Sequence, residues 1–218
     1  MRELRFGRKG AKTGEARNIL VFLHGYGADG SDLLGLADVL EPHLPGTAFV
    51  APDAPEPCRG GGFGCQWFPI PWIDGSSEAA AAAGLAAAVE DLNGFLDARL
   101  AEEGLTADRL VLLGFSQGAM MSLHVAPRRD KQVAGIVAIS GRLLRPDALA
   151  DVLGACFDMV LVDAPCSGEG MFRKDDTAIR EWSLEHVLSC ATRQEQILLS
   201  AARLTKPAGR LVYSTCTF

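Results

Sequence analysis

The chain has 218 residues, 48% hydrophobic and 22% charged, enough for one well-filled globular domain and unlike a disordered segment. A formal charge of −6, from 21 Lys and Arg against 27 Asp and Glu, argues against a surface built to neutralise phosphates. No apolar run approaches the roughly 20 residues that span a bilayer, so neither nucleic acid nor membrane is the expected partner.

The opening residues, MRELRFGRKGAKTGEAR, are polar and unlike a secretory leader, and the six cysteines, at 58, 65, 156, 166, 190 and 216, have no C-x-x-C spacing. The expectation is a reduced, cytoplasmic protein. The first strand is NILVFL, Asn18–Leu23, followed by the Gly-rich loop LHGYGADGSD and a helix over 31–40. A strand at 47–50 leads into the Pro- and Gly-rich segment 52–75. That segment is too long for a simple connection and carries Trp67 and Trp72, as loops that shape a site do.

A helix over 77–103 and a strand at 110–113 then precede GFSQGAM, residues 114–120, and a helix over 118–126. Strands at 133–139, 157–162 and 210–213, with helices at 146–153 and 176–204, complete the pattern. The strands are near-continuously apolar, as in a sheet covered on both faces, so the fold class expected is α/β with a doubly wound, mostly parallel sheet.

G-x-S-x-G between a strand and a helix places Ser116 on a sharp turn with an exposed hydroxyl, the context a serine nucleophile requires. The backbone N–H groups of Tyr26, in the Gly-rich loop, and of Gln117, after the serine, are the candidate donors to a developing oxyanion. His24 reads as a loop histidine that holds its turn by hydrogen bonds rather than as the base. His124, two turns along the helix from Ser116, points away from the turn and reads as core.

Residues 1 to about 150 resemble the small bacterial carboxylesterases related to acyl-protein thioesterases and lysophospholipases, through FLHGYGADGSDLLGLA, APDAPEPC, QWFPIPW, GFSQGAMMSLHVAPRR and AISGRLL in that order. The resemblance implies a compact α/β-hydrolase that cleaves simple carboxylic esters, with Ser116 as nucleophile and an acyl groove walled partly by Trp67. Loop anchoring is the competing reading of Trp67 and Trp72. The family's acid loop of G-D-x-D type and histidine loop of G-H-G type are not found.

In their place stand FDMVLVDAPCSGEGMFRK, residues 157–174, and GRLVYSTCTF, residues 209–218. These resemble RNA cytosine-5 methyltransferases, in which the cysteines of D-A-P-C-S-G and T-C-T work as a pair; here they are Cys166 and Cys216, with Asp163 beside the base. No Gly-rich loop after a first strand offers a site for S-adenosylmethionine, and no basic RNA-binding module accompanies the segment. The chain therefore looks like a fusion: 1–154 carboxylesterase-like, and 155–218 a methyltransferase-like segment whose last two strands complete the same sheet within a single domain.

Asp163 is the candidate triad acid, although Ser167 rather than an acid falls at the family's register and a solvated strand-end carboxylate is the alternative. His186, in EWSLEHVL, is the candidate base, against a structural histidine beside Trp182. The expected activity is that of a serine esterase scaffold on a small ester, weakened where the usual Asp and His loops are replaced. The alternatives are an RNA cytosine-5 methyltransferase fragment and a folded, inactive chimera. No cofactor or metal is expected, and a homodimer is the arrangement that would compensate for a poorly packed join.

Overall fold

A computed structural model describes residues 1–58, 64–144, 151, 153–173 and 176–215, the side chain of Glu181 excepted. The chain divides into two compact units, Met1–Leu144 and Arg145–Phe218.

The first unit opens with β1 (Phe6–Gly10), which the sequence reading does not contain because RFGRKG is polar. It is an edge strand, antiparallel to β3 (below) from Phe6 opposite Pro52 to Gly10 opposite Ala48. Its charges are paired: Arg8 Nη1 lies 2.6 Å from Glu103 Oε1, and Lys9 Nζ lies 2.7 Å from Asp38 Oδ2. Next is β2 (Asn18–Leu23), central in the sheet. The expected helix over 31–40 is two short ones, α1 (Gly30–Leu34) and α2 (Leu36–Leu40), divided at Gly35. Asp29 caps α1 by accepting from Ser31 N–H, while Asp32 reaches back to Asp29 N–H, a reciprocal capping box.

After β3 (Thr47–Pro52) comes a small hairpin, β4 (Glu56–Pro57) with β5 (Cys65–Gln66), then α3 (Pro71–Asp74) and the 26-residue α4 (Glu78–Glu103). α4 starts at the Ser77 cap and stops at Gly104, whose left-handed φ of 64° favours glycine. Then follow β6 (Leu110–Phe115), α5 (Gln117–Val125) and β7 (Gly135–Ile139). The sheet order is β1-β3-β2-β6-β7, parallel except for β1.

Both faces of β2 are covered, which is why NILVFL is apolar throughout. Val21 and Leu23 join Trp67, Leu92, Leu96 and Met121 in one cluster. Leu20 and Phe22 join Phe49 in the other, the two phenyl rings stacked with centroids 6.1 Å apart. Each such fully buried side chain contributes about 1.5–3 kcal/mol through removal from water.

In the second unit β8 (Phe157–Asp163) passes through α6 (Asp176–Glu181) and α7 (Leu184–Leu204) to β9 (Thr205–Ser214). The two strands pair in parallel, Asp163 opposite Ser214, as a strand-helix-strand crossover dictates. Among the described residues they form a two-stranded sheet. Packing offers little to extend this ladder: the buried cluster is small, Val162, Ala164 and Ala201, while Met159 and Leu161 remain 60% and 67% exposed. The expected helix over 176–204 is interrupted because Ser183 accepts the His186 N–H at 3.0 Å and starts α7 afresh. The expected helix over 146–153 lies largely outside the described residues.

Candidate active site

The turn between β6 and α5 is bent by close packing. A Cβ on Gly114 would stand 2.3 Å from the Gly118 carbonyl oxygen, and one on Gly118 would stand 1.9 Å from that of Leu23, so only glycine fits either position of the motif. Between them Ser116 adopts φ 52° and ψ −114°, a conformation costing about 1–3 kcal/mol for an L-residue. Two hydrogen bonds hold it: Ser116 N–H donates to Ile139 O at 2.9 Å, and its carbonyl accepts from Met120 N–H at 3.1 Å. The strain presents the hydroxyl to a cavity of about 390 Å³ lined by His24, Gly25, Tyr26, Asp32, Phe115 and Ser116 among others.

Gln117 is the first residue of α5, where an N–H has no intrahelical partner. Its buried side chain does something the sequence did not disclose. Oε1 accepts the Trp67 N–H at 2.9 Å, and Nε2 donates to the Phe68 carbonyl at 2.7 Å, so the long loop is clamped to the residue that follows Ser116. Trp67 is fully buried, and its Nε1 donates to His24 O at 3.0 Å. Trp67 lines neither this cavity nor a smaller apolar one nearby, whereas its neighbour Phe68 lines the second. Its contacts are those of a loop anchor.

His24 is fully buried, with both ring nitrogens engaged: Nδ1 bonds Gly25 O at 2.7 Å, and Nε2 accepts the Ala54 N–H at 2.9 Å. Only the neutral ring with its proton on Nδ1 satisfies both, and burial pushes its pKa below the ordinary value. It is therefore the turn-holding residue, as its place in the loop suggested. Tyr26 reaches the cavity wall, and burial raises its phenol pKa, Cys58 and Asp74 adding to the effect.

Among the described residues the Ser116 hydroxyl has no hydrogen-bond partner. His124 lies on α5, and its carbonyl accepts from Arg128 Nη1 at 2.8 Å. In the second unit, Asp163 accepts from the Ser214 hydroxyl at 3.0 Å, and no histidine contacts it among the described residues. His186 is exposed in the first turn of α7. Ser167, at the family's acid register, donates to Glu169 at 2.7 Å, and Glu169 also accepts from Trp182 Nε1 at 2.7 Å. Among the described residues neither unit, taken by itself, brings the candidate acid, base and nucleophile together.

Cys58, Cys65, Cys156 and Cys190 are free thiols. Cys216 lies outside the described residues. Among the described residues no cluster of three His, Cys, Asp or Glu is placed to hold a metal, and no helix is long and apolar enough to cross a membrane.

The family described as Phospholipase/Carboxylesterase matches residues 10–160. Among solved structures, esterase PE8 is similar with a TM-score of 0.68 and 30% identity, 99% of this chain and 90% of that one being covered. Acyl-protein thioesterase 2 of Zea mays is similar in fold, with a TM-score of 0.53, 19% identity and coverage of 97% and 88%. Ribosomal RNA small subunit methyltransferase F of Vibrio vulnificus (strain YJ016) is 38% identical over 125 residues, 54% of this chain and 26% of that protein. The chain thus spans about a quarter of the length of the curated relatives it first matches.

Proposed function

Since the chain belongs to the phospholipase/carboxylesterase family and has the α/β-hydrolase fold, we propose that it is a serine hydrolase of small carboxylic esters with Ser116 as nucleophile. The observation that carries the reading is the strained Ser116 backbone, which holds an unbonded hydroxyl at the wall of a cavity of about 390 Å³. Ser116 Oγ attacks the ester carbonyl, its proton passing to solvent water, and the carbonyl oxygen becomes an oxyanion that the N–H groups of Gln117 and Tyr26 stabilise. The alkoxide or phenolate leaves, and water then releases the acid from Ser116. Substrates with a good leaving group suit this site, because the first step needs little help from a general acid. Deacylation needs a base to activate water and is the slower step. Asp163 and His186 are the candidate acid and base, and the slow deacylation proposed is that of a Ser116 on which neither acts. The test is hydrolysis of p-nitrophenyl acetate by the intact chain and by Ser116→Ala, with mass spectrometry for an acyl group on Ser116.

A second reading, favoured by the 38% identity to the methyltransferase, makes residues 155–218 a piece of an RNA cytosine-5 methyltransferase and the chain a fusion. Titration with S-adenosylmethionine tests it.

A further inference from the structure

A second cavity, of about 160 Å³, lies on the first unit and shares no lining residue with the Ser116 cavity. Phe68, Leu85 and Leu144 give it apolar walls, Trp72 adds an aromatic one, and Arg142 and Glu78 are its charged members. It is tied to the nucleophile from two sides. The Phe68 carbonyl is held by Gln117 Nε2 at 2.7 Å. Gly141 packs so closely on the turn that a Cβ there would stand 3.1 Å from Ser116 O and 2.5 Å from Ala119 Cβ, and Arg142 is the next residue.

The Arg142 guanidinium lies over Trp72, its Cζ 4.8 Å from the ring centroid. Among the described residues no carboxylate comes within ion-pair distance of it. A guanidinium stacked by its face keeps its N–H edges available, and those edges match a carboxylate in fork geometry. The volume is below the roughly 300 Å³ at which drug-sized sites begin, which suits a short chain.

We propose that Arg142, laid on Trp72, is a specificity-determining residue that selects acyl chains ending in a carboxylate. The methylenes lie against Phe68, Leu85 and Leu144, and the terminal carboxylate pairs with the guanidinium edge. Glu78, in the first turn of α4, opposes this charge and limits the preference. The inference rests on Ser116 being the esterase nucleophile.

The kinetic test takes the ratio of kcat/KM for mono-4-nitrophenyl adipate to that for 4-nitrophenyl hexanoate, chains of equal length ending in carboxylate and methyl. Arg142→Gln should lower this ratio about fivefold, as expected for a partly exposed ion pair, and Glu78→Gln should raise it. A ratio unchanged by Arg142→Gln overturns the proposal. The binding test needs no hydrolysis and is made on Ser116→Ala: adipamate should give a saturable change in tryptophan fluorescence that hexanamide does not. That response should vanish when Trp72→Phe is added and weaken when Arg142→Gln is added. Loss of hydrolysis with this response intact would count against the esterase reading alone, whereas equal responses to the two amides would overturn the role of Arg142.

Discussion

Gln117 clamps Trp67: its Oε1 accepts the tryptophan N–H at 2.9 Å while Nε2 donates to the Phe68 carbonyl at 2.7 Å, all of it buried. One side chain thus joins the residue after Ser116 to the loop that walls the second cavity. Gln117→Ala leaves a buried N–H and a buried carbonyl without partners, at about 1–3 kcal/mol each when unsatisfied. The expected outcome is a fall of about 2–4 kcal/mol in stability by urea unfolding, together with lower esterase kcat/KM. A loss under about 0.5 kcal/mol would show that water replaces both bonds.

Ser116 is strained where glycine would not be. Ser116→Gly should raise the urea midpoint, by about 1 kcal/mol of relieved backbone strain less the entropy cost of glycine, and abolish ester hydrolysis. Ser116→Ala keeps the backbone problem and should abolish hydrolysis with little gain in stability. Hydrolysis undiminished in both variants would remove the serine from the mechanism.

Deacylation is the step that suffers most without a histidine on the Ser116 hydroxyl. On p-nitrophenyl acetate the expected record is a burst of nitrophenolate near one equivalent, then slow turnover, with the acetyl group trapped on Ser116. His186→Ala should leave the burst in place. A steady rate without a burst, lost in His186→Ala, would instead make His186 the base.

The pH dependence of stability follows from His24. Burial lowers its folded pKa below the ordinary 6.5, so the unfolded chain takes up the proton first as the pH falls. Its contribution is whole above the unfolded pKa and is lost as pH falls through that value toward the folded one. The urea midpoint should therefore drop between about pH 7.5 and about pH 5.5, and drop less in His24→Asn. Equal drops in the two proteins would assign the effect elsewhere.

S-adenosylmethionine should give no saturable heat in calorimetry at millimolar concentration, because the Gly-rich loop of this chain lines the Ser116 cavity with His24, Gly25, Tyr26 and Ala28. Micromolar affinity would restore the methyltransferase reading of the second unit.

The sequence by itself determined the elements whose burial is two-sided or whose chemistry is local. NILVFL could only be a covered central strand, and G-F-S-Q-G between a strand and a helix located Ser116, because both signals sit within a few consecutive residues. His24 was legible as a turn-holder for the same reason. Tertiary structure decided what depends on distant partners. β1 is polar and pairs only because β3 offers it an edge, with Glu103 and Asp38 neutralising its charges. The clamp of Gln117 on Trp67 spans fifty positions, and the stacking of Arg142 on Trp72 spans seventy. The pairing of β8 with β9 followed from the crossover, but its register, Asp163 opposite Ser214, did not, because the register a strand adopts depends on which neighbours its side chains can bury against, and that is not written in the strand.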